Sequence, residues 1–376
     1  MTVQETLADL VAIASVSSRS NSEIVDYLHR RSERAGFAVK RFSYNDGNEK
    51  INLIALAGGD LTSSTTAELA LVGHTDTVPY DPNWTDATNL IEHDGKLFGR
   101  GACDTKGFIA AALSAVDNLD LKKLRRPLAL IFTADEEIGL LGAKRLAELK
   151  PIQVRYSIIG EPTSLQPIRA GKGYALAEVT VRGREAHSAY PALGASAIFR
   201  AARLISHLER ITKEIRTETH QGFDPAFTTL NVGVVGGGTA KNVIAGECRF
   251  TLEWRPIPTQ NPTLVLDLLQ AAIKEEKKCD PDFACEINFS RKDSGFETSA
   301  SSDLVTFLES ATGKNAGSVA FGTEGAQMTR LGSDAVVLGP GDIREAHRTG
   351  EFVPSEELDR CVVILKQAIE HFCGRQ

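Results

Sequence analysis

Apolar runs of strand length recur along this 376-residue chain, and each stops at a glycine or polar break followed by a histidine or a carboxylate. Leu69-Ala70-Leu71-Val72-Gly73 leads into His74 and Asp76, and Pro127–Thr133 leads into Ala134-Asp135-Glu136-Glu137. Tyr156–Gly160 leads into Glu161, and Ala335–Gly341 into a loop that holds His347. Continuous apolar runs of this kind read as buried strands of a parallel sheet. Parallel strands share one edge at their carboxyl ends, where open α/β sheets bind ligands. The polar side chains are therefore expected to converge on that edge, in an α/β fold with a mixed, largely parallel sheet and flanking helices.

A chain of this length exceeds what a single core covers, so two domains are expected. Around Tyr174 the periodicity changes. Tyr174–Val181 alternates as a half-buried strand, and Gly194–Leu208 carries an apolar helical stripe. Strands at Thr229–Val235 and Cys248–Trp254, a helix at Pro262–Lys278 and a strand at Phe283–Ser290 follow. Strand, helix, strand, strand, helix, strand is the order of a ferredoxin-like α+β unit. The expected division is 173–289 for this insert, with 1–172 and 290–376 forming one domain in two pieces.

Near the N-terminus, Thr2-Val3-Gln4-Glu5 has the form of a capping box, and Ser22-Glu23 opens a second helix that Gly36 ends. Strands at Ala38–Phe42 and Ile51–Leu56 follow, then a solvated turn from Gly58 to Ala67. A formal charge of −7 argues against nucleic acid or an anionic membrane as partner. No run approaches the length of a membrane span, and the first residues lack the basic-then-apolar form of an export signal. Six cysteines without a Cys-x-x-Cys pair suggest neither a disulfide framework nor a thiolate zinc site, so the expected compartment is the cytoplasm.

Each polar residue at the strand ends also has a structural reading. His74 alone would be a satisfied core histidine, Asp104 could cap the helix expected over Phe108–Asn118, and an isolated acidic triplet is usually a solvated loop. Three acids near a core repel one another and call for a cation. Together, two histidines and three carboxylates suffice to hold two divalent metal ions bridged by one carboxylate, with donors that suit zinc. One acid is left over, and a carboxylate beside such a centre can take a proton from an attacking water. No Gly-x-Ser-x-Gly elbow and no Walker-type phosphate loop occurs.

Five segments in order resemble the zinc-dependent aminoacylase, carboxypeptidase and acetylornithine deacetylase family: Gly73-His74-Thr75-Asp76-Thr77-Val78-Pro79, Gly99-Arg100-Gly101 with Asp104-Thr105-Lys106-Gly107, Thr133-Ala134-Asp135-Glu136-Glu137, Gly160-Glu161-Pro162-Thr163, and the late His347. The resemblance covers nearly the whole chain and implies a zinc aminopeptidase-like sheet domain with an inserted lid that also dimerises. It implies that Asp104 bridges two zinc or cobalt ions, with His74 and Glu161 on one and Glu137 and His347 on the other. Glu136 would be the general acid/base and Asp76 the orienter of His74. Thr105 stands where relatives commonly carry Met, beside the ligand rather than at it.

Within the insert, Ala186-His187-Ser188 resembles the segment whose histidine stabilises the oxyanion in a partner subunit's active site. Asn242 and Arg255 resemble substrate contacts, as does the segment around Thr323. The runs His-Thr-Asp-Thr-Val-Pro, Gly-Glu-Pro-Thr-Ser-Leu-Gln-Pro and Arg-Ala-Gly-Lys-Gly are most similar to those of members that remove acetate from N2-acetylornithine in arginine synthesis. The alternatives are desuccinylation of succinyl-diaminopimelate, in which the cationic Lys172 would meet a second carboxylate, and a deacylase or carboxypeptidase of broad range. A metal-free scaffold of the same shape is the alternative from another class.

Overall fold

Thr2 and Glu5 close the capping box that starts the first helix, Val3–Ala12: the Glu5 N–H donates to the Thr2 hydroxyl at 3.1 Å and the Thr2 N–H to the Glu5 carboxylate at 2.8 Å. The second helix, Ser22–Arg34, turns out of its axis at Gly36, whose φ of +94° is open to glycine without a steric penalty. The computed structural model describes residues 1–45, 48–61, 65–117 and 119–374, so residues 62–64 of the expected solvated turn and Asn118, the expected end of the following helix, lie outside the described residues. By its internal contacts the chain divides into two units: Met1–Arg169 with Glu297–Gly317 and Thr323–Gln376, and Ala170–Phe296 with Ser318–Gly322.

The first unit is built on a mixed sheet. Its strands lie in the order Ala38–Asn45, Glu49–Ala57, Leu128–Thr133, Thr66–His74, Gln153–Ile159, Asp334–Val337. The last four run parallel, and the first two meet each other and Leu128–Thr133 antiparallel. All six residues of Leu128–Thr133 are buried, as their unbroken apolar character requires. The helix Lys106–Val116 is buried at every one of its 11 residues and shares a core with Ser355–Cys373 and Val3–Ala12. It approaches the strand end so closely that a Cβ at Gly160 would lie 2.2 Å from the Phe108 ring. Only glycine fits immediately before Glu161.

The strand expected over Ala335–Gly341 stops at Val337. Gly339 and Gly341 instead give their carbonyls to the N–H groups of Leu165 and Ser164, so that segment anchors the loop behind Glu161 rather than extending the sheet.

The second unit has the strands Tyr174–Arg182, Thr229–Gly237, Glu247–Arg255 and Ala284–Asp293 and the helices Ala197–Ile215 and Leu264–Cys279. Its sheet is antiparallel throughout, in the order Thr229–Gly237, Glu247–Arg255, Tyr174–Arg182, Ala284–Asp293, which is the ferredoxin-like arrangement. Ala175, Ala177, Val179 and Val181 alternate into a core completed by Phe250, Trp254, Leu204 and Leu208. The first helix starts three residues later than its pattern suggests, because Ala195 is tied to Arg184 by two main-chain hydrogen bonds; it runs on to Ile215 because Ile211 and Ile215 continue the apolar stripe.

Candidate metal centre

His74 ends its strand in register with Thr133, the last residue of the neighbouring parallel strand. On the other side Val72 stands opposite Ile159, which brings His74 level with Glu161. Asp104 comes from the turn before the buried helix Lys106–Val116, where Gly101 adopts a φ of +79°. Thr105 holds the N-cap position of that helix without a capping hydrogen bond, its hydroxyl donating to the Gly160 carbonyl at 2.9 Å, and the Asp104 carboxylate is directed to the imidazoles.

Asp104 Oδ1 lies 2.9 Å from His74 Nε2, and its Oδ2 lies 3.1 Å from His347 Nε2. His347 Nε2 is also 3.1 Å from the Glu137 carboxylate. Ligand atoms of His74, Asp104 and Glu137 all lie within 4.8 Å of one another. The two oxygens of one carboxylate thus face two different imidazoles, which is the disposition of a bridging ligand. Glu161 is 6% exposed, and burial, reinforced by Asp104 and Glu136, pushes its carboxyl well above the ordinary range.

Carboxyls and imidazoles crowd together in this pocket. Burial drives the Glu136 carboxyl well above its usual value, with Glu137 and Asp104 adding to the effect. Burial works against charging His74, but the hydrogen bonds to Asp104 and Asp76 and the nearby carboxylates together outweigh it and raise the ring's pKa. Hydrogen bonds to Asp104 and Glu137 raise His347 to about 10. A set of imidazole nitrogens and carboxylate oxygens of this kind fits divalent cations of the zinc type.

Asp76 stands beside His74, as its spacing suggests, and also reaches the acidic turn. The strand ends at His74, and it is the main-chain carbonyl of Asp76 that meets His74 Nδ1, at 3.0 Å; the carboxylate stands 3.6 Å away. That carboxylate accepts the Ser17 hydroxyl at 2.7 Å, the Glu136 N–H at 3.0 Å and the Glu137 N–H at 3.3 Å. It fixes the backbone of the acidic turn. Asp135, held at a φ of +55°, pairs with the buried Lys50 at 2.5 Å and accepts the Tyr44 hydroxyl at 3.1 Å. Of the acidic triplet, then, one member is neutralised by a lysine and one faces His347.

Sequence reasoning missed Lys50, Ser17, Glu324 and Glu351. A lysine inside the otherwise apolar strand Glu49–Ala57 was a usable signal, since a buried ammonium needs a buried acid. Glu324 is 1% exposed, accepts the Thr133 hydroxyl at 2.6 Å and is pushed by burial to about 7.

The expected substrate contacts are divided between the units. Thr323, in the first, is buried, with its hydroxyl accepting the Gly325 N–H at 3.2 Å. In the second unit His187 and Asn242 stand together: the Asn242 carbonyl accepts the Ser188 N–H at 3.0 Å, and both residues are exposed. His187 Nδ1 accepts the Ala189 N–H at 3.1 Å, which leaves the ring proton on Nε2. Arg255 packs its guanidinium 4.2 Å from the centre of the Tyr174 ring and donates through Nε to Glu253. Lys172 departs from its expected role. It is 1% exposed, and its ammonium donates to the carbonyls of Pro225 at 2.7 Å and Phe227 at 2.6 Å, which commits it to the interior of its own unit.

Residues 70–371 match the model of peptidase family M20/M25/M40. An acetylornithine deacetylase of Myxococcus xanthus is 52% identical over 375 residues, spanning 99% of this chain and 98% of that protein. One from Yersinia pseudotuberculosis is 33% identical over 98% of this chain and 96% of its own length. Among solved structures, a family M20 metallo-carboxypeptidase of Sulfolobus solfataricus superposes with a TM-score of 0.77 at 19% identity, covering 99% of both chains. A dinuclear metal-binding peptidase of Bacillus subtilis gives 0.69 at 15% identity, covering 98% of this chain and 97% of its own. At these identities the two structures speak for the fold.

Proposed function

The chain belongs to peptidase family M20/M25/M40, and we propose that it is a hydrolase that removes the acetyl group of N2-acetyl-L-ornithine to give ornithine and acetate, as in arginine biosynthesis. The end-to-end identity with the Myxococcus xanthus deacetylase carries this reading. The internal commitment of Lys172 supports it against the desuccinylase alternative, because the cation that would have met a second substrate carboxylate already serves two main-chain carbonyls.

We assign two divalent cations, zinc or cobalt, to the centre: His74, Asp104 and Glu161 would hold one, and Asp104, Glu137 and His347 the other. The span of Asp104 between two imidazoles supports the pairing. Such ions supply Lewis acidity toward an amide carbonyl and make water a better nucleophile at neutral pH. Glu136 takes the proton of the attacking water and hands it to the departing amine; its raised carboxyl pKa suits an acid that must work in both directions. Asp76 holds the Glu136 main chain while this happens. His187, with its proton on Nε2, meets the negative charge that develops on the carbonyl oxygen, while Arg255, Asn242 and Thr323 bind the amino-acid part of the substrate.

The working form is a homodimer joined through the ferredoxin-like unit. Its edge strand Thr229–Gly237 exposes Val234 and Val235, and an unpaired apolar edge favours pairing with an identical edge. Among the described residues no helix is long and apolar enough to cross a membrane, and all six cysteines are free thiols. The proposed location is the cytoplasm.

The deciding experiment measures acetate release from N2-acetylornithine and succinate release from N-succinyl-diaminopimelate by the purified, metal-loaded protein. Preference for the former by about 100-fold or more in kcat/KM, roughly 2.7 kcal/mol of transition-state discrimination, is expected. The opposite preference overturns the assignment.

A further inference from the structure

Glu351 lies four residues beyond His347 and is 1% exposed. One of its carboxylate oxygens accepts the main-chain N–H of Cys103 at 3.0 Å and that of Asp104 at 3.0 Å. Its other oxygen accepts Arg100 Nη1 at 2.6 Å, and its own carbonyl accepts the Gly99 N–H at 3.0 Å. The chain then continues as Phe352–Pro354, which pairs antiparallel with Lys96–Phe98. The segment that carries His347 is therefore fastened through the Glu351 carboxylate to the turn that carries Asp104, beside the strand pairing that follows it.

A buried carboxylate is costly unless its oxygens are occupied, and here they are occupied by one guanidinium and two N–H groups of the turn that ends in Asp104. Those N–H groups in turn have a charged acceptor that fixes their direction. Neither the salt bridge to Arg100 nor the pairing of Phe352–Pro354 requires the Asp104 amide; a carboxylate serving only to neutralise Arg100 has no need to hold it. We propose that Glu351 is the positioning residue of the metal centre, holding the Cys103–Asp104 main chain so that the Asp104 carboxylate spans His74 and His347. The proposal rests on the reading of those residues as metal ligands. Glu351 touches no ligand atom and acts through the Asp104 backbone.

The test uses the full-length protein, stripped of metal and titrated with Co²⁺ and with Zn²⁺. In Glu351→Gln one carboxamide must face both Arg100 and the two amides, so either the guanidinium or the amides lose their acceptor. Binding weaker by about 10–100-fold is expected, together with a changed visible spectrum of the cobalt form. In Glu351→Gln combined with Arg100→Gln, a second carboxamide accepts from the first and frees its oxygen for the amides, and the affinity and spectrum are expected to return toward the wild type. Glu351→Gln binding metal within about twofold of the wild type, with an unchanged cobalt spectrum, overturns the proposal. Should that variant not fold, hydrogen exchange of the metal-free wild type decides: the Cys103 and Asp104 amides stay protected if Glu351 holds them without metal, and free exchange there overturns the proposal. A wild-type protein that binds neither ion refutes the metal reading itself, a different result from a metal-binding wild type with an indifferent Glu351 variant.

Discussion

The Asp76 carboxylate accepts the main-chain N–H of Glu136 at 3.0 Å, from across the gap between two parallel strand ends. An acid set two residues after a histidine thereby holds the main chain at the end of the neighbouring strand, and it does so while 1% exposed. We predict that Asp76→Ala lowers stability by about 1–3 kcal/mol for each buried donor left without an acceptor, read as the urea midpoint. Turnover is expected to fall by at least about 10-fold while bound metal, measured by elemental analysis, falls far less. Proportionate loss of metal and turnover would return Asp76 to the role of a simple ligand support.

Glu136 is the residue on which the proposed proton transfers depend. Glu136→Gln keeps the shape of the side chain and removes its basicity, so kcat is expected to fall by about 100- to 10,000-fold with the metal content unchanged. A near-normal rate for this variant would take Glu136 out of the mechanism.

The tautomer of His187, with Nδ1 accepting the Ala189 N–H, provides an Nε2–H donor at the surface of the ferredoxin-like unit. For His187→Ala we predict a drop in kcat of about 100- to 1,000-fold, with little change in metal content or KM. If the donor comes from a second copy of the chain, mixing this variant with Glu136→Gln restores part of the activity through mixed dimers. An unchanged rate for His187→Ala would remove the oxyanion assignment.

Glu324 is not itself one of the proposed ligands, and it provides a pH signature in which burial is the main cause and His74 works against it. Burial raises its carboxyl from 4.5 to about 7. The folded state therefore keeps this proton after the unfolded chain has released it, and the stabilisation present below pH 4.5 is lost as the pH rises through about 7. In the metal-free protein, Glu324→Gln should remove up to about 3 kcal/mol of that pH dependence, seen as a smaller fall in urea midpoint between the two pH values. Parallel profiles for the variant and the wild type would contradict the assignment.

What could be read in advance follows a physical line. The parallel strands were legible because a strand covered on both faces must be apolar throughout, as Leu128–Thr133 is. His74 and Glu137 were legible because they follow strands of that sheet, whereas Asp104, in a turn before a helix, and His347, in a loop, were singled out by the resemblance to family segments. Asp76 was legible beside His74, but its hold on the Glu136 and Glu137 main chain was not, because peptide N–H groups leave no mark in a sequence. Lys172 was misread because charge in the sequence does not reveal whether a side chain meets solvent or two inward-pointing carbonyls. Glu351 escaped notice because its partners are peptide N–H groups, which every residue possesses and no pattern marks.

The two imidazoles differ in their access to water: the His74 side chain is 1% exposed and that of His347 is 49% exposed. Of the two ions proposed, the one that His347 would hold would border the medium, and the one beside His74 would lie deeper. Chelators should draw off the outer ion first, and a half-filled population should keep its remaining ion deep, so occupancy is graded by depth instead of changing in one step.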